Sequence, residues 1–556
     1  MDKFDLGAAL LESDPQNGIL DTDMANAERF AKQHGADVRY SREKGFFVWD
    51  GRRFVADTSL AINKAKQTAK SIVREIETAP TKAVQKTLLR HAHLSQDSRR
   101  LTSMLYLAQS EPGIPASLNE FDADPWRLNV QNGIINLRTG ELEPHNQKHL
   151  CSRISNIKFD SAAKCELWLS FLHKITNGNV NQMLYLNRAI GYSLTGSTGE
   201  QCLFFLFGIG ANGKSVFLNI LGDLCGEYGM SSRMDSFTLQ KNGGSIPNDI
   251  ARLAGARLVA VSETADGQRL HEPLIKDLTG GDLITARFLH HEFFDFRPQF
   301  KIWIRGNHKP QITGTDEGIW RRIHLVPFTV TIPESERDPA LYEKLRAELP
   351  GIMAWAVRGC LDWQRSGLQA PDMVRAAVKE YRAEMDILGA FLSENCLIGE
   401  SFKVSAKALY ASYRTWAEKN GERSATQRRF GSAMTERGFD RERTRGGYFY
   451  LKIGLCVNDV NDCEPKTDFS PLTRVREEEN PELGSQGSQG SHAAEIADIE
   501  TVFPEKSLLN ISRGVLAKDH LDLGNLGKSE KCSPCGRVEW CIMDQGQQRE
   551  LCEGPF

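Results

Sequence analysis

The stretch QCLFFLFGIGANGKSVFLNILGDL, residues 201–224, decides how the chain is read. Five apolar residues, 203–207, lead into a glycine-rich turn, and apolar residues at helical spacing follow it, the order strand, turn, helix. Gly208, Ile209, Gly210, Ala211, Asn212, Gly213, Lys214 and Ser215 satisfy G-x-x-x-x-G-K-[ST]. The glycines let backbone N–H groups face a polyphosphate. Lys214 sets a cation against the β- and γ-phosphates, and Ser215 offers a hydroxyl to magnesium. A chance glycine-rich turn would lack both the strand before it and the helix after it. The expectation is an α/β core that binds a nucleoside triphosphate.

Such a turn does not choose among kinases, GTPases, transporters and motors; the elements after it do. A strand over 257–262 delivers Glu263 at its C-terminal end, where a carboxylate can hold the magnesium shell or polarise the attacking water. A second strand, FKIWIRGN, ends at Asn307, an amide placed to sense the γ-phosphate. DEGIWRRIHLVPF then supplies Arg321 and Arg322. An arginine beyond the core strands can reach a neighbouring subunit's nucleotide, an effect of about 10³ to 10⁵ in rate. Two adjacent arginines are otherwise ordinary surface charge.

Composition sets the outer limits. At 556 residues the chain exceeds one core and predicts three or four domains. With 40% apolar and 25% charged residues it reads as an ordinary globular protein. The net charge of -3 excludes a uniformly basic surface but allows a basic channel or module. The start MDKFDLGAALLESD carries no export signal and no window approaches a membrane span, so no membrane partner and a cytoplasmic location are expected. The 12 cysteines are scattered and read as reduced thiols, including Cys532, Cys535, Cys541 and Cys552, whose spacing is irregular for zinc.

Punctuation divides the chain into an α+β N-terminal domain (1–160), a helical collar (161–195), the nucleotide-binding core (196–335), a helical closure (336–374), a basic module (375–455) and a linker with a tail (456–556). Asp50-Gly51 and Asn132-Gly133 mark hairpins, residues 58–110 read as helices, and Asn177-Gly178 breaks two collar helices. Residues 401–452 hold twelve Lys/Arg against five Asp/Glu. Two helices and a hairpin around Gly446-Gly447 suggest a winged helix. Arg428 and Arg429 would lie on a recognition helix, Arg443 and Arg445 in the wing. The plain reading is a solvated basic surface.

The run EPLIKDLTGGDLITARFLHHEFFDFRPQFKIWIRGNHKPQITGTDEGIWRRIHLVPF, with the glycine-rich turn before it, resembles the superfamily 3 helicase domain of the phage and plasmid primase-helicase family, which is related to the poxvirus primase-helicases. The likeness is close over about 196–330, and NGIINLRTGELEPH extends it back to about residue 50. The resemblance implies an AAA+-type P-loop core and a homohexameric ring. That ring would thread single-stranded or forked DNA on ATP and Mg2+ as the replicative helicase of a phage, prophage or plasmid. It makes Lys214 and Ser215 the Walker A contacts, Glu263 the Walker B acid, Asn307 the sensor, and Arg322 or Arg321 the finger.

It also makes 276–291 a hairpin projecting into the pore, with Lys276, Arg287, His290 and His291 as DNA contacts and Phe288 and Phe293 able to stack or pack. Many relatives carry two adjacent acids at the Walker B position. Here Thr264 follows Glu263 and Asp266 comes later, so the base stays open, with Glu272 a further candidate. Residues 1–50 are too few and too helical for a polymerase-like domain, so the chain reads as a helicase without intrinsic primase activity, which leaves room for a separate primase as partner. The basic module would bind origin DNA. The alternative is an ATP-dependent initiator or remodelling protein that does not unwind; the basic insert before Asn307 argues against it.

Overall fold

Five short strands, four of them rich in branched and aromatic residues, build the central sheet of the computed structural model, which describes residues 21–239, 248–262, 267–288, 292–314, 316–422 and 424–456. Before that sheet, α1 (Asp23–His34) starts at Thr22, whose hydroxyl accepts from Ala25 N at 3.1 Å. Strands β1 (Val38–Ser41), β2 (Gly45–Trp49) and β3 (Phe54–Ala56) pair antiparallel. The hairpin at Asp50-Gly51 forms because the Asp50 carboxylate accepts from Arg52 N and Arg53 N at 2.7 and 2.9 Å while Gly51 takes φ +101°. Helices α2 (Thr58–Ser71), α3 (Lys82–Leu94) and α4 (Ser98–Ala108) follow. Phe30, Val38, Phe46, Ala65 and Met104 close a small core between these helices and strands.

A second meander, β4 (Arg127–Val130), β5 (Gly133–Asn136) and β6 (Glu141–Glu143), leads to α5 (Glu166–Ile175) and α6 (Val180–Leu194). Then come β7 (Leu203–Phe207), α7 (Lys214–Cys225), β8 (Gly229–Arg233), α8 (Asn248–Ala251), β9 (Leu258–Ser262), α9 (Glu272–Gly280), β10 (Ile284–Arg287), β11 (Phe293–Phe296), β12 (Lys301–Gly306), α10 (Glu317–Trp320) and β13 (Ile323–Pro327). The five-stranded sheet has the order β13-β7-β12-β9-β8, all parallel. Its register pairs Phe207 with Gly306 and Pro327, and Ser262 with Arg305. The strands after which 208, 263 and 307 fall therefore end at one edge. The chain turns from β7 toward β8 on one side and reaches β13 on the other, so that edge opens at a topological switch, where α/β sheets hold ligands.

Two buried cations fasten the opposite edge. Arg257, 1% exposed, donates to the carbonyls of Leu194 and Asp124 at 2.7 and 3.3 Å. Lys301, also 1% exposed, donates to the carbonyls of Ser197 and Gln299 at 3.2 Å each, and burial holds its ammonium well below the usual lysine range. Both tie the segments around 124 and 194–199 to the floor of the sheet.

Helices α11 (Leu341–Ala347) and α12 (Leu349–Ser366) close the sheet, and α12 crosses α6 with almost no gap. A Cβ on Gly191 would sit 2.1 Å from Cys360 N, and one on Gly359 2.3 Å from Asn187 O. Next, α13 (Asp372–Met385) leads into α14 (Ile387–Asn395), β14 (Cys396–Ser405), α15 (Ala406–Lys419), α16 (Gln427–Glu436), β15 (Arg441–Thr444) and β16 (Gly447–Leu455). The last three strands form an antiparallel sheet, β14-β16-β15, over a core that includes Phe391, Leu409, Phe430, Met434 and Tyr450. Among the described residues, no helix is long and apolar enough to cross a membrane.

Candidate functional site

The turn after β7 is fixed by what its glycines exclude. A Cβ on Gly208 would fall 2.3 Å from Phe328 O, and one on Gly213, at φ +83°, 2.7 Å from Ile175 Cγ2. Asn212 Nδ2 donates to Phe328 O at 3.1 Å, and Ala211 O accepts from Ile332 N at 2.8 Å. The turn is thus pinned to the segment beyond β13, while Ile209 points outward at 95% exposure. Lys214 opens α7 and is 6% exposed. Its ammonium donates to Gly208 O at 2.6 Å and to Asn307 Oδ1 at 3.1 Å. Two residues 93 positions apart meet because β12 lies beside β7. Ser215 is exposed next to them. An N-terminal helix end, a cation and an amide here face one point, an arrangement that attracts an anion.

Glu263 and Asp266 lie outside the described residues; β9 ends at Ser262. Over that end reaches Arg305, which the sequence reading passed by. It donates through Nη2 to Ser262 Oγ at 3.2 Å and through Nη1 to Asn219 Oδ1 of α7 at 3.4 Å. The signal was available, since Lys301, Trp303 and Arg305 alternate onto one face of β12. Glu272 is spent elsewhere: its Oε1 accepts from Thr313 N and Gly314 N at 2.8 and 2.9 Å. This corrects its candidacy as the acid, because a carboxylate clamping a loop is not free to handle water.

The two arginines separate. Arg321 is exposed and donates to Gln201. Arg322 is 8% exposed, donating to Thr279 Oγ1 at 3.1 Å and to Gly318 O at 2.6 Å, with burial lowering its pKa. Both arginines thus have partners within their own subunit, Arg322 buried and Arg321 at the surface.

A hairpin does precede β12, but it spans β10 and β11 only. Arg287 stands opposite Phe293, and its guanidinium lies 5.1 Å from that ring, which is 64% exposed. Phe288 packs instead, stacked on Phe294 at 5.1 Å. His290 and His291 lie outside the described residues. Lys276 is a correction: it sits on α9, ion-paired with Asp316 at 2.9 Å, because that stretch is helical rather than part of the hairpin. Among the described residues no three His, Cys, Asp or Glu gather as a metal site.

In the C-terminal module Arg428, Arg443 and Arg445 are exposed. Arg429 is exposed as well; its Nη2 donates to Thr313 O at 3.2 Å, against the same loop that Glu272 holds.

Residues 27–177 match the family described as D5 N terminal like, and residues 206–322 match a family of unknown function. The chain is 26% identical over 329 residues to the Acanthamoeba polyphaga mimivirus protein named "Putative helicase L207/L206", covering 55% of this chain and 34% of that protein. It is 26% identical over 257 residues to "Primase D5" of Fowlpox virus, covering 42% of this chain and 32% of that protein. The chain thus spans about a third of the length of these curated relatives. A solved structure of the NrS-1 C terminal region aligns over 78% of this chain and all of its own, at 11% identity and a TM-score of 0.40.

Proposed function

We propose that the chain belongs to the primase-helicase family that includes the poxvirus D5 protein and that it is an ATP-hydrolysing DNA helicase with an AAA+-type superfamily 3 core. The observation that carries the reading is the meeting of Lys214 with Asn307 beside a sterically locked glycine turn at the switch edge of a parallel sheet. ATP is the substrate. Its phosphates take the backbone N–H groups of 208–213 and the Lys214 ammonium, which exchanges the Gly208 carbonyl for a phosphate oxygen. Asn307, released from that ammonium, orients the attacking water. Ser215 and Glu263 would hold a magnesium ion, which neutralises charge on the phosphates. Arg321 reaches the nucleotide of an adjacent subunit in a ring. The Arg287–Phe293 pair on the β10–β11 hairpin grips single-stranded DNA, cation to phosphate and ring to base. The module from α14 to β16 is a winged helix.

The test is strand displacement on a forked duplex. Displacement with ATP, none with a non-hydrolysable analogue and none by Lys214→Ala is the expected result. Hydrolysis with DNA binding but no displacement would instead support the initiator or remodelling reading.

A further inference from the structure

The sheet of the C-terminal module carries a pairing that its core does not need. Arg441 stands opposite Tyr450 and Arg443 opposite Tyr448, so strand alternation sets all four on one face. Tyr450 is 1% exposed and belongs to the core. Tyr448, two residues nearer the turn, runs past the core and is 50% exposed. The guanidiniums of Arg441 and Arg443 lie 5.4 and 5.9 Å from its ring centroid. Glu442, the acid between them, falls on the other face and pairs with Lys403 at 2.6 Å. Helix α16 adjoins this face: a Cβ on Gly431 would stand 3.7 Å from Arg441 Nη1 and 3.6 Å from the Tyr450 hydroxyl oxygen. Exposed Arg428 lies three residues before Gly431 on that helix, and exposed Arg445 sits in the hairpin turn.

Arginines alone would serve any phosphate backbone. An exposed aromatic ring flanked by cations serves something narrower, the open face of a base. In an intact duplex those faces are covered by stacked neighbours, and only the edges are presented in the grooves. On the second helix of the module Arg429 donates to Thr313 O at 3.2 Å, while Arg428 is exposed and unengaged by that loop. We propose that the face formed by Tyr448, Arg443, Arg445 and Arg428 binds unpaired DNA nucleotides, with Tyr448 stacked on a base and the arginines on the flanking phosphates. The proposal rests on the DNA-binding reading of this module and deepens it, replacing duplex DNA with unpaired DNA as its ligand.

The experiment uses the full chain without nucleotide, titrated against fluorescent oligo-dT and, separately, a blunt duplex at one salt concentration. Tyr448→Ala weakens oligo-dT binding about tenfold, a typical loss for one stacked base, and leaves the duplex nearly unaffected. Tyr448→Trp restores it. Arg443→Ala lowers the slope of log affinity against log salt for oligo-dT by about 0.7, the value for one phosphate on a single strand. Irradiating an oligo-dT that carries one 5-iododeoxyuridine crosslinks it to the peptide containing Tyr448. Equal losses on duplex and single strand, no loss on either, or crosslinks confined to Phe293 would overturn the proposal. Because ATP is absent, the two readings fail separately. Binding through Tyr448 in a chain that hydrolyses nothing keeps this proposal and removes the motor, whereas unwinding with Tyr448→Ala at full affinity does the reverse.

Discussion

Lys214 is buried with its charge answered by a carbonyl and an amide, so the same contacts that keep it aimed also store its interaction until a phosphate arrives. Lys214→Ala should therefore reduce ATP hydrolysis by at least about 10²- to 10³-fold, the scale of one lost charge-stabilising donor. On the proposed role of orienting the attacking water, Asn307→Ala should cut turnover more than it weakens ATP affinity. Steady-state hydrolysis and nucleotide binding, measured on folded variants, check both; normal turnover in Lys214→Ala would remove the assignment. His324 makes a prediction of another kind. It stacks on Tyr185 with centroids 5.9 Å apart, the phenol hydroxyl donates to its Nδ1 at 2.7 Å, and burial lowers its pKa from 6.5 to about 4. Between those values the unfolded chain binds a proton that the folded chain refuses. Stability is thus unaffected by this group above pH 6.5 and falls as pH drops toward 4, by about 3 kcal/mol in full. His324→Gln keeps an acceptor for Tyr185 and should flatten this part of the curve. Denaturant midpoints at pH 7 and pH 4.5 that shift in parallel for both proteins would sink it.

At the scale of elements, α10 and the start of β13 assign different work to neighbouring arginines. Arg322→Ala takes a donor from the Gly318 carbonyl and leaves the Thr279 hydroxyl its bond to Ile275 O, at a cost of about 1–3 kcal/mol, and should lower the melting temperature. Arg321→Ala should leave melting unchanged yet lose hydrolysis, and mixing it with Lys214→Ala subunits should restore part of it, because some interfaces then pair an intact lysine with an intact arginine. Mixed oligomers without recovery would confine Arg321 to its own subunit. The distinction was not legible in the sequence: what separates the pair is Thr279, 43 positions away on α9. Glu272 was misread for the same reason, its partner lying 41 positions off. What was legible was local. The turn, its strand and helix, the strand ending at Asn307 and the hairpin at Asp50-Gly51 each announce themselves within a few residues. Strands β8 and β14 did not. GMSSR offers one bulky apolar side chain, and CLIGESFKVS is mostly exposed and shifts register between Ile398 and Lys403, so neither presents an alternating pattern.

Across the whole molecule, the segment from Asn307 to Arg321 is gripped by the parts that lead to the C-terminal module. On α13, Glu384 pairs with Lys309 at 2.7 Å, Arg382 with Glu317 at 2.7 Å, and Tyr381 sets its ring edge-on to Trp320 at 5.3 Å while its hydroxyl donates to Pro310 O. Lys309 is 14% exposed in its side chain and also lies 4.9 Å from the ring of Phe207, the residue before the glycine turn. Asp386, at the end of α13, caps α14 and takes Arg437 from the C-terminal end of α16, and Arg429 of α16 reaches Thr313 O. Were nucleotide binding to shift the segment after β12, these contacts would offer two routes to the module, one through α13 and one direct. Coupling of this kind is reciprocal: whatever factor nucleotide applies to DNA affinity, DNA applies to nucleotide affinity. The expected outcome is that a non-hydrolysable ATP analogue changes the affinity of the full chain for DNA, and that Arg429→Ala combined with Glu384→Gln brings the ratio of the two affinities toward one. Arg429→Ala alone should move it part of the way, since the α13 route remains. The measurement is DNA titration with and without the analogue, at one salt concentration, with nucleotide affinity measured on the same variants as a check on the reciprocal term. A double variant whose ratio equals that of the unaltered chain would mean that these contacts hold the module in place without carrying the state of the site to it.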